Sequence, residues 1–209
     1  FSVSWFELPE FASNLEEAKN KGGLTFITKE GSQFVKIDTI STNLTEVMDG
    51  ADVVMLAVPT NVIEEFAKLC APHIEAGQII LINSAACAGS FRFARVAQRL
   101  GITTKFLIAE TNSLAYGTRF DARKAEVNML LRTKKLHLAA FPSSDTESVL
   151  AACRQFYEFL VPAKNVWETT LNNGNPESHT GPGLLNAGRI EYSKGEFYLY
   201  KEGITEHTV

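Results

Sequence analysis

The sequence predicts an α/β fold, an open and mostly parallel β-sheet with helices on both faces, followed by the start of an α-helical second domain. Three observations predict it. First, Asp52–Pro59, Gln78–Ile82 and Lys105–Ala109 are short runs that are almost entirely apolar. Such runs suit strands covered on both faces, the usual situation in a parallel sheet. Second, the segments between them carry helical spacing: Val62, Ile63, Phe66, Leu69 and Cys70 in one, and Phe91 to Leu100, closed by Gly101, in the other. Third, the connections are short, and strand–helix–strand alternation with short connections implies parallel pairing.

Taken in order, residues 1–7 read as a buried strand ending at Glu7 and broken by Pro9. Phe11, Leu15 and Ala18 are spaced for a helix face that Gly22-Gly23 stops. Leu24 to Ile27 and Phe34 to Ile37 alternate around Lys29-Glu30-Gly31-Ser32, which predicts a hairpin. Asn43 and Glu46 have capping-box spacing before a short helix ending at Asp49-Gly50. After the three apolar strands, Val127–Leu131 and Leu136–Ala140 are expected to pair antiparallel across Thr133-Lys134-Lys135. Ser144 or Asp145 then caps a helix with Val149, Ala152, Phe156 and Phe159 on its core face. A domain boundary is expected near residue 168, giving 1–168 and 169–209.

Composition narrows the function. Of 209 residues, 45% are hydrophobic and 21% charged, an ordinary globular balance. The net charge of −4, without a basic run, argues against a nucleic-acid partner. No apolar run approaches the ~20 residues of a membrane span. Cys70, Cys87 and Cys153 are scattered, which fits a reducing cytoplasm better than a disulfide framework or a zinc site. No two histidines have ligand spacing, so no metal is expected. A homodimer is compatible with all of this.

In open parallel sheets, ligands bind at the carboxyl ends of the strands. Those ends carry Glu7, Val58-Pro59-Thr60-Asn61, Asn83 to Gly89, and Glu110-Thr111-Asn112. Glu7 suits the ribose hydroxyls of NAD and would repel the 2′-phosphate of NADP, although a solvated Glu is the plainer reading. Val58, Pro59, Asn83 and Glu110 are candidates to line a cofactor crevice, because small or polar residues let a ligand approach closely. No GxGxxG turn occurs in the sequence. Phe1 already reads as a strand in progress, and an internal fragment with that turn upstream is expected. Arg119 or Arg123 would grip a substrate carboxylate, if not simply solvated.

The sharpest candidate is the segment from Asn172 to Glu191. Asn175 suits a helix N-cap and Pro176 the first helical position. Asn175 and His179 are four apart and share a face, so an amide and a titratable imidazole stand together. The plain alternative is a cap followed by a surface histidine. At a helix start the dipole disfavours the imidazolium, so a general acid there calls for a carboxylate partner.

Asn175-Pro-Glu-Ser-His179, Gly183-Leu-Leu-Asn186-Ala-Gly-Arg189-Ile-Glu191 and Phe197-Tyr-Leu-Tyr-Lys-Glu202-Gly-Ile-Thr205 resemble the opening of the substrate domain of the opine dehydrogenases. The likeness extends upstream through Ala51 to Pro59, Asn83 to Gly89 and Glu110 to Arg119, and so covers most of the chain. It implies a Rossmann-like dinucleotide-binding domain over 1–168, lacking its first βα unit, and a truncated helical substrate domain over 169–209. It also implies an oxidoreductase that uses NAD, or alternatively NADP, to join an amino acid to a 2-oxo acid and reduce the imine. His179 would be the acid/base, Asn175 would orient substrate, and Thr111 would lie near the reacting carbon. The carboxylate partner of the histidine is expected downstream, and the isolated piece is expected to be inactive. The alternatives are a two-domain 2-hydroxy acid or glycerol-phosphate dehydrogenase and a non-catalytic NAD-binding module.

Overall fold

The computed structural model describes residues 1–84 and 87–208, apart from the side chain of Glu177. Ala85 and Ala86, part of the expected 83–89 ligand loop, lie outside the described residues. The elements, in chain order, are β1 (Ser4–Phe6), α1 (Glu16–Lys21), β2 (Gly23–Thr28), β3 (Gly31–Lys36), β4 (Thr39–Ser41), α2 (Leu44–Met48), β5 (Val53–Leu56), α3 (Ile63–Cys70), β6 (Ile79–Ile82) and α4 (Gly89–Arg99). There follow β7 (Leu107–Thr111), β8 (Tyr116–Asp121), β9 (Glu126–Arg132), β10 (Leu136–Ala140), α5 (Thr146–Cys153), β11 (Leu160–Pro162), α6 (Val166–Leu171), α7 (Gly181–Leu185) and α8 (Ala187–Tyr192). The chain divides into two units, Phe1–Thr170 and Leu171–Val209.

The first unit is α/β. Its central sheet has five strands in the order β11-β10-β7-β6-β5. β5, β6 and β7 are parallel, as are β10 and β11, and β10 runs antiparallel to β7. Side chains alternate between faces along a strand, and β6 uses both. Ile80 and Ile82 join Ile63, Ala67 and Cys70 of α3 and Phe93, Val96 and Ala97 of α4. Ile79 and Leu81 join Val149, Leu150 and Cys153 of α5. The sheet is therefore covered on both faces, as the unbroken apolar runs predicted. Each wholly buried aliphatic side chain here contributes roughly 1.5–3 kcal/mol. Burial also pushes the Cys70 thiol up to about 12 and the Cys153 thiol up to about 11.

Several expectations are corrected. The strands are divided among three sheets, because β1 pairs with β4 alone and β3-β2-β9-β8 form a mixed sheet of their own. The predicted hairpin between residues 127–131 and 136–140 does not form. β9 pairs with β2 and β8, whereas β10 pairs with β7 and β11. The reason lies in burial. Leu136, Leu138, Ala139 and Ala140 are wholly or almost wholly buried and need cover on both faces, but Leu130 and Leu131 of β9 are exposed. β1 is short and not buried, and Val3 beside it is exposed. Leu15 and Ala18 are buried as expected, but Phe11 falls in a kinked 3-10 stretch and is exposed. Phe156 and Phe159 lie beyond the end of α5, but with Ala152 they pack half-buried against the core as expected, beside the wholly buried Val149, Leu150 and Cys153. The β2–β3 hairpin is present.

The capping box at α2 closes indirectly. Asn43 Oδ1 accepts from the Thr45 N–H at 3.2 Å. Glu46 does not reach back to the Asn43 N–H; Ser41 Oγ accepts that N–H at 3.0 Å and donates to Glu46 at 2.6 Å. The His73 ring packs beside this cap, with its Nδ1 3.2 Å from Thr45 Oγ1. No helix among the described residues is long and apolar enough to cross a membrane.

The second unit is a run of short turns. Pro176–Thr180 forms a wide π turn, followed by α7 and α8, and a second π turn spans Leu199–Gly203.

Candidate functional site

In the first unit the strand ends bring Asn83 and Thr111 together. β6 and β7 are parallel neighbours, so their carboxyl ends fall side by side. Thr111 Oγ1 lies 3.3 Å from Asn83 Oδ1 and 2.8 Å from the Ser113 carbonyl oxygen. Asn83 Nδ2 is 3.4 Å from the Tyr157 hydroxyl and 3.5 Å from Met55 Sδ. Tyr157 was not anticipated from the sequence. Burial, reinforced by the Tyr116 hydroxyl, pushes its phenol up to about 12, so it stays a neutral donor. Val58 is half-buried against the α3 and α4 core, and exposed Pro59 opens the turn Thr60–Val62. Glu7 follows β1, is half-buried, and accepts the Leu8 N–H at 3.0 Å.

Glu110 departs from the expectation of a crevice carboxylate. It is wholly buried, and both oxygens are engaged inside the fold. Oε2 accepts from the Ser90 N–H at 2.8 Å and from Ser90 Oγ at 2.6 Å. Oε1 accepts from Thr169 Oγ1 at 2.7 Å and Thr170 Oγ1 at 3.3 Å. Thr170 Oγ1 in turn accepts the Ala88 N–H at 2.8 Å. Ala88, at the N-cap of α4, has a left-handed φ of 51° and no side chain able to cap. Glu110 therefore caps α4 from a distance, with its negative charge at the positive end of the helix dipole. It ties β7, α4 and α6 together rather than facing a ligand.

Arg119 stands apart from this cluster. It lies on β8, in the mixed sheet, and donates to the Thr118 carbonyl at 2.9 Å. Arg123 is in the following turn, 3.7 Å from Asp121.

In the second unit the geometry gathers on His179. Asn175 does not act as an N-cap: its backbone is already helical and its side chain makes no capping bond. The spacing of four is used differently, since the Asn175 backbone oxygen lies 2.9 Å from His179 Nδ1. On the far side of the ring, Nε2 is 2.7 Å from the Tyr200 hydroxyl. The two rings meet edge to face, 5.5 Å between centroids. Tyr200 lies in the Phe197-Tyr-Leu-Tyr run, and the sequence does not reveal its contact with His179, because a separation of 21 residues follows no helical or strand period.

The remaining motif residues explain how Tyr200 is held. Asn186 Nδ2 donates to the Pro182 carbonyl at 2.8 Å and to the Gly203 carbonyl at 3.1 Å. Arg189 pairs with Glu202 and lies over the Phe197 ring, 5.2 Å from its centroid. Glu202 also accepts the Tyr198 N–H at 3.3 Å. The Leu-Leu-Asn-Ala-Gly-Arg stretch thus braces the 199–203 turn. Gly203 belongs there for a steric reason, since an added Cβ would come within 2.8 Å of the Phe197 ring.

Comparison with known proteins agrees with these motifs. Residues 162–209 match the family model described as NAD/NADP octopine/nopaline dehydrogenase, alpha-helical domain. Over 194 residues the chain is 27% identical to an opine dehydrogenase of Arthrobacter sp. (strain 1C), covering 93% of this chain and 53% of that one. It superposes on octopine dehydrogenase in complex with NADH and L-arginine with a TM-score of 0.72 and 20% identity, over 99% of this chain and 54% of that one. It superposes on yersinopine dehydrogenase with NADP+ bound with a TM-score of 0.72 and 15% identity, over 99% and 52%. The chain spans about half the length of these relatives. It is similar to the opine dehydrogenases in sequence and shares the Rossmann-like α/β fold of the solved ones.

Proposed function

We propose that this chain carries the cofactor-binding part, and the first portion of the helical substrate part, of an NAD(P)-dependent opine dehydrogenase. Such an enzyme condenses an amino acid with a 2-oxo acid and reduces the resulting imine. The observation that carries the reading is His179, engaged at both ring nitrogens within the segment that matches the octopine/nopaline family model. The division near residue 168 would separate the dinucleotide-binding part from the catalytic part.

The cofactor reading rests on fit. The ends of β6 and β7 present Asn83 and Thr111, small polar residues side by side, of the kind a nicotinamide amide requires. Val58 and Pro59 would form an apolar wall, and Glu7 would accept the ribose hydroxyls. The complexes of similar enzymes with NADH and with NADP+ support a nicotinamide cofactor of either kind. When bound, the nicotinamide would supply the hydride.

The chain's own residues would do the rest. The Asn175 carbonyl can only accept, so it takes Nδ1–H and leaves Nε2 to exchange a proton with the substrate oxygen or amine. The Asn175 side-chain amide would orient the substrate, and Thr111 would lie near the reacting carbon. Arg119 is retained for a substrate carboxylate only if it leaves the Thr118 carbonyl. The working form is proposed as a cytoplasmic enzyme, with a homodimer as one possible assembly.

The test is His179→Ala in the complete protein. Turnover should fall by about 10²-fold or more, the usual contribution of a general acid–base group, while NADH still binds. Unchanged turnover would remove His179 from the mechanism.

A further inference from the structure

We propose that the Tyr200 hydroxyl, seated on Nε2 of His179, relays the proton that the imidazole exchanges with substrate. This builds on the proposed role of His179, but its structural part stands independently. The Asn175 carbonyl oxygen, 2.9 Å from His179 Nδ1, has no hydrogen to give. Ser178 Oγ, 3.1 Å from the same nitrogen, has its hydrogen directed to the Gly174 carbonyl at 2.8 Å, so it too acts as an acceptor here. Nδ1 must therefore carry the proton, and in the neutral ring Nε2 is bare.

Tyr200 supplies what Nε2 lacks. Its hydroxyl, 2.7 Å away, donates to the bare nitrogen of the neutral ring and accepts from Nε2–H of the protonated one. One group thus serves both protonation states, and because it occupies the single in-plane position at Nε2, a proton passing between that nitrogen and a substrate passes through this hydroxyl, which gives up its own proton on one side as it takes one on the other. The hydroxyl is held in place by the braced turn. Asn186 grips the Gly203 carbonyl, and Arg189 grips Glu202, at the end of the segment that presents Tyr200. The edge-to-face contact limits rotation of the imidazole. Without the hydroxyl, the ring keeps its anchor at Nδ1 but loses the group that carries its proton to and from substrate.

Two measurements test this. The first is 15N NMR of the histidine rings in this chain at alkaline pH, with the His179 signals identified by their loss in His179→Gln. In the wild type, His179 should carry its proton on Nδ1, and its Nε2 resonance should show a hydrogen-bonded acceptor. In Tyr200→Phe, which keeps the ring contact and removes only the hydroxyl, Nε2 should move to the position of an acceptor without a donor. A wild-type ring protonated on Nε2, or an Nε2 resonance that Tyr200→Phe leaves in place, overturns the proposal.

The second is steady-state turnover of the complete protein. Tyr200→Phe should lower kcat about tenfold or more, with KM for the 2-oxo acid and the melting temperature unchanged, because an interrupted proton relay slows chemistry without weakening binding. An unchanged kcat overturns the relay. If instead His179→Ala leaves turnover intact, the proposed function fails, while the NMR result still decides whether Tyr200 holds the ring.

Discussion

Glu110 shows how far a single residue's address in the sequence can differ from its task. Its place at the end of an apolar strand was legible, and strand ends are where ligands bind. The inward turn of its carboxylate was not, because it depends on Ser90, Thr169 and Thr170, which lie 20, 59 and 60 residues away. Every group around it is a donor, and the Ser90 N–H cannot be turned elsewhere. The hydroxyls can turn: Thr169 Oγ1 is also within 2.9 Å of the Val166 carbonyl. Two substitutions should therefore separate. Glu110→Gln keeps an acceptor for the Ser90 N–H, and the rotating threonine hydroxyl can receive its amide. Glu110→Leu leaves a buried N–H unpaired, which costs about 1–3 kcal/mol. Urea unfolding should rank wild type, then Gln, then Leu. Equal stability of the Leu and Gln variants would show that Glu110 does not cap α4.

Among the elements, those whose cover is local were the readable ones. β6 and the helices flanking it carry their pattern in a single stretch, and the β2–β3 hairpin carries its own turn. β9 and β10 are separated by three residues but belong to different sheets. Their proximity in the chain suggested pairing, whereas the demand of β10 for two covered faces decided the outcome. The Gly22-Gly23 pair has a similar history. Both read as a helix stop, and only Gly22 is one, with a left-handed φ of 70° closing α1. Gly23 is instead the first residue of β2, paired with Lys36, where an added Cβ would come within 2.2 Å of the Val35 carbonyl oxygen. Gly22→Ala should cost about 1 kcal/mol for its backbone conformation alone, as there is open space around it. Gly23→Ala must push two strands apart and should cost more, up to about 3 kcal/mol. A milder effect at position 23 than at 22, measured by thermal unfolding, would contradict this placement.

At the scale of the whole molecule, the alternation of apolar runs with helical stretches was enough to reveal an α/β fold. The family motifs led to the expectation of a helical part from residue 169, but said nothing of how firmly it is held. The two units differ in what they bury. In the first, Leu81, Ile80, Phe93, Leu138 and Leu150 are wholly buried. In the second, the buried positions among the described residues are Asn173, Pro182 and Gly203, while Leu184, Leu185 and Tyr192 are exposed. Its helices α7 and α8 have five and six residues, too short to persist on propensity alone. Local opening follows the density of buried apolar contact, and protection in one molecule ranges from near zero to the full unfolding free energy. Amide hydrogen exchange of the chain should therefore divide at the boundary after Thr170. The β6 amides should exchange only through global unfolding, and those of α8 at least about a hundredfold faster, a gap near 3 kcal/mol. Protection in α8 equal to that in β6 would mean that the second unit is held by interactions these buried residues do not account for.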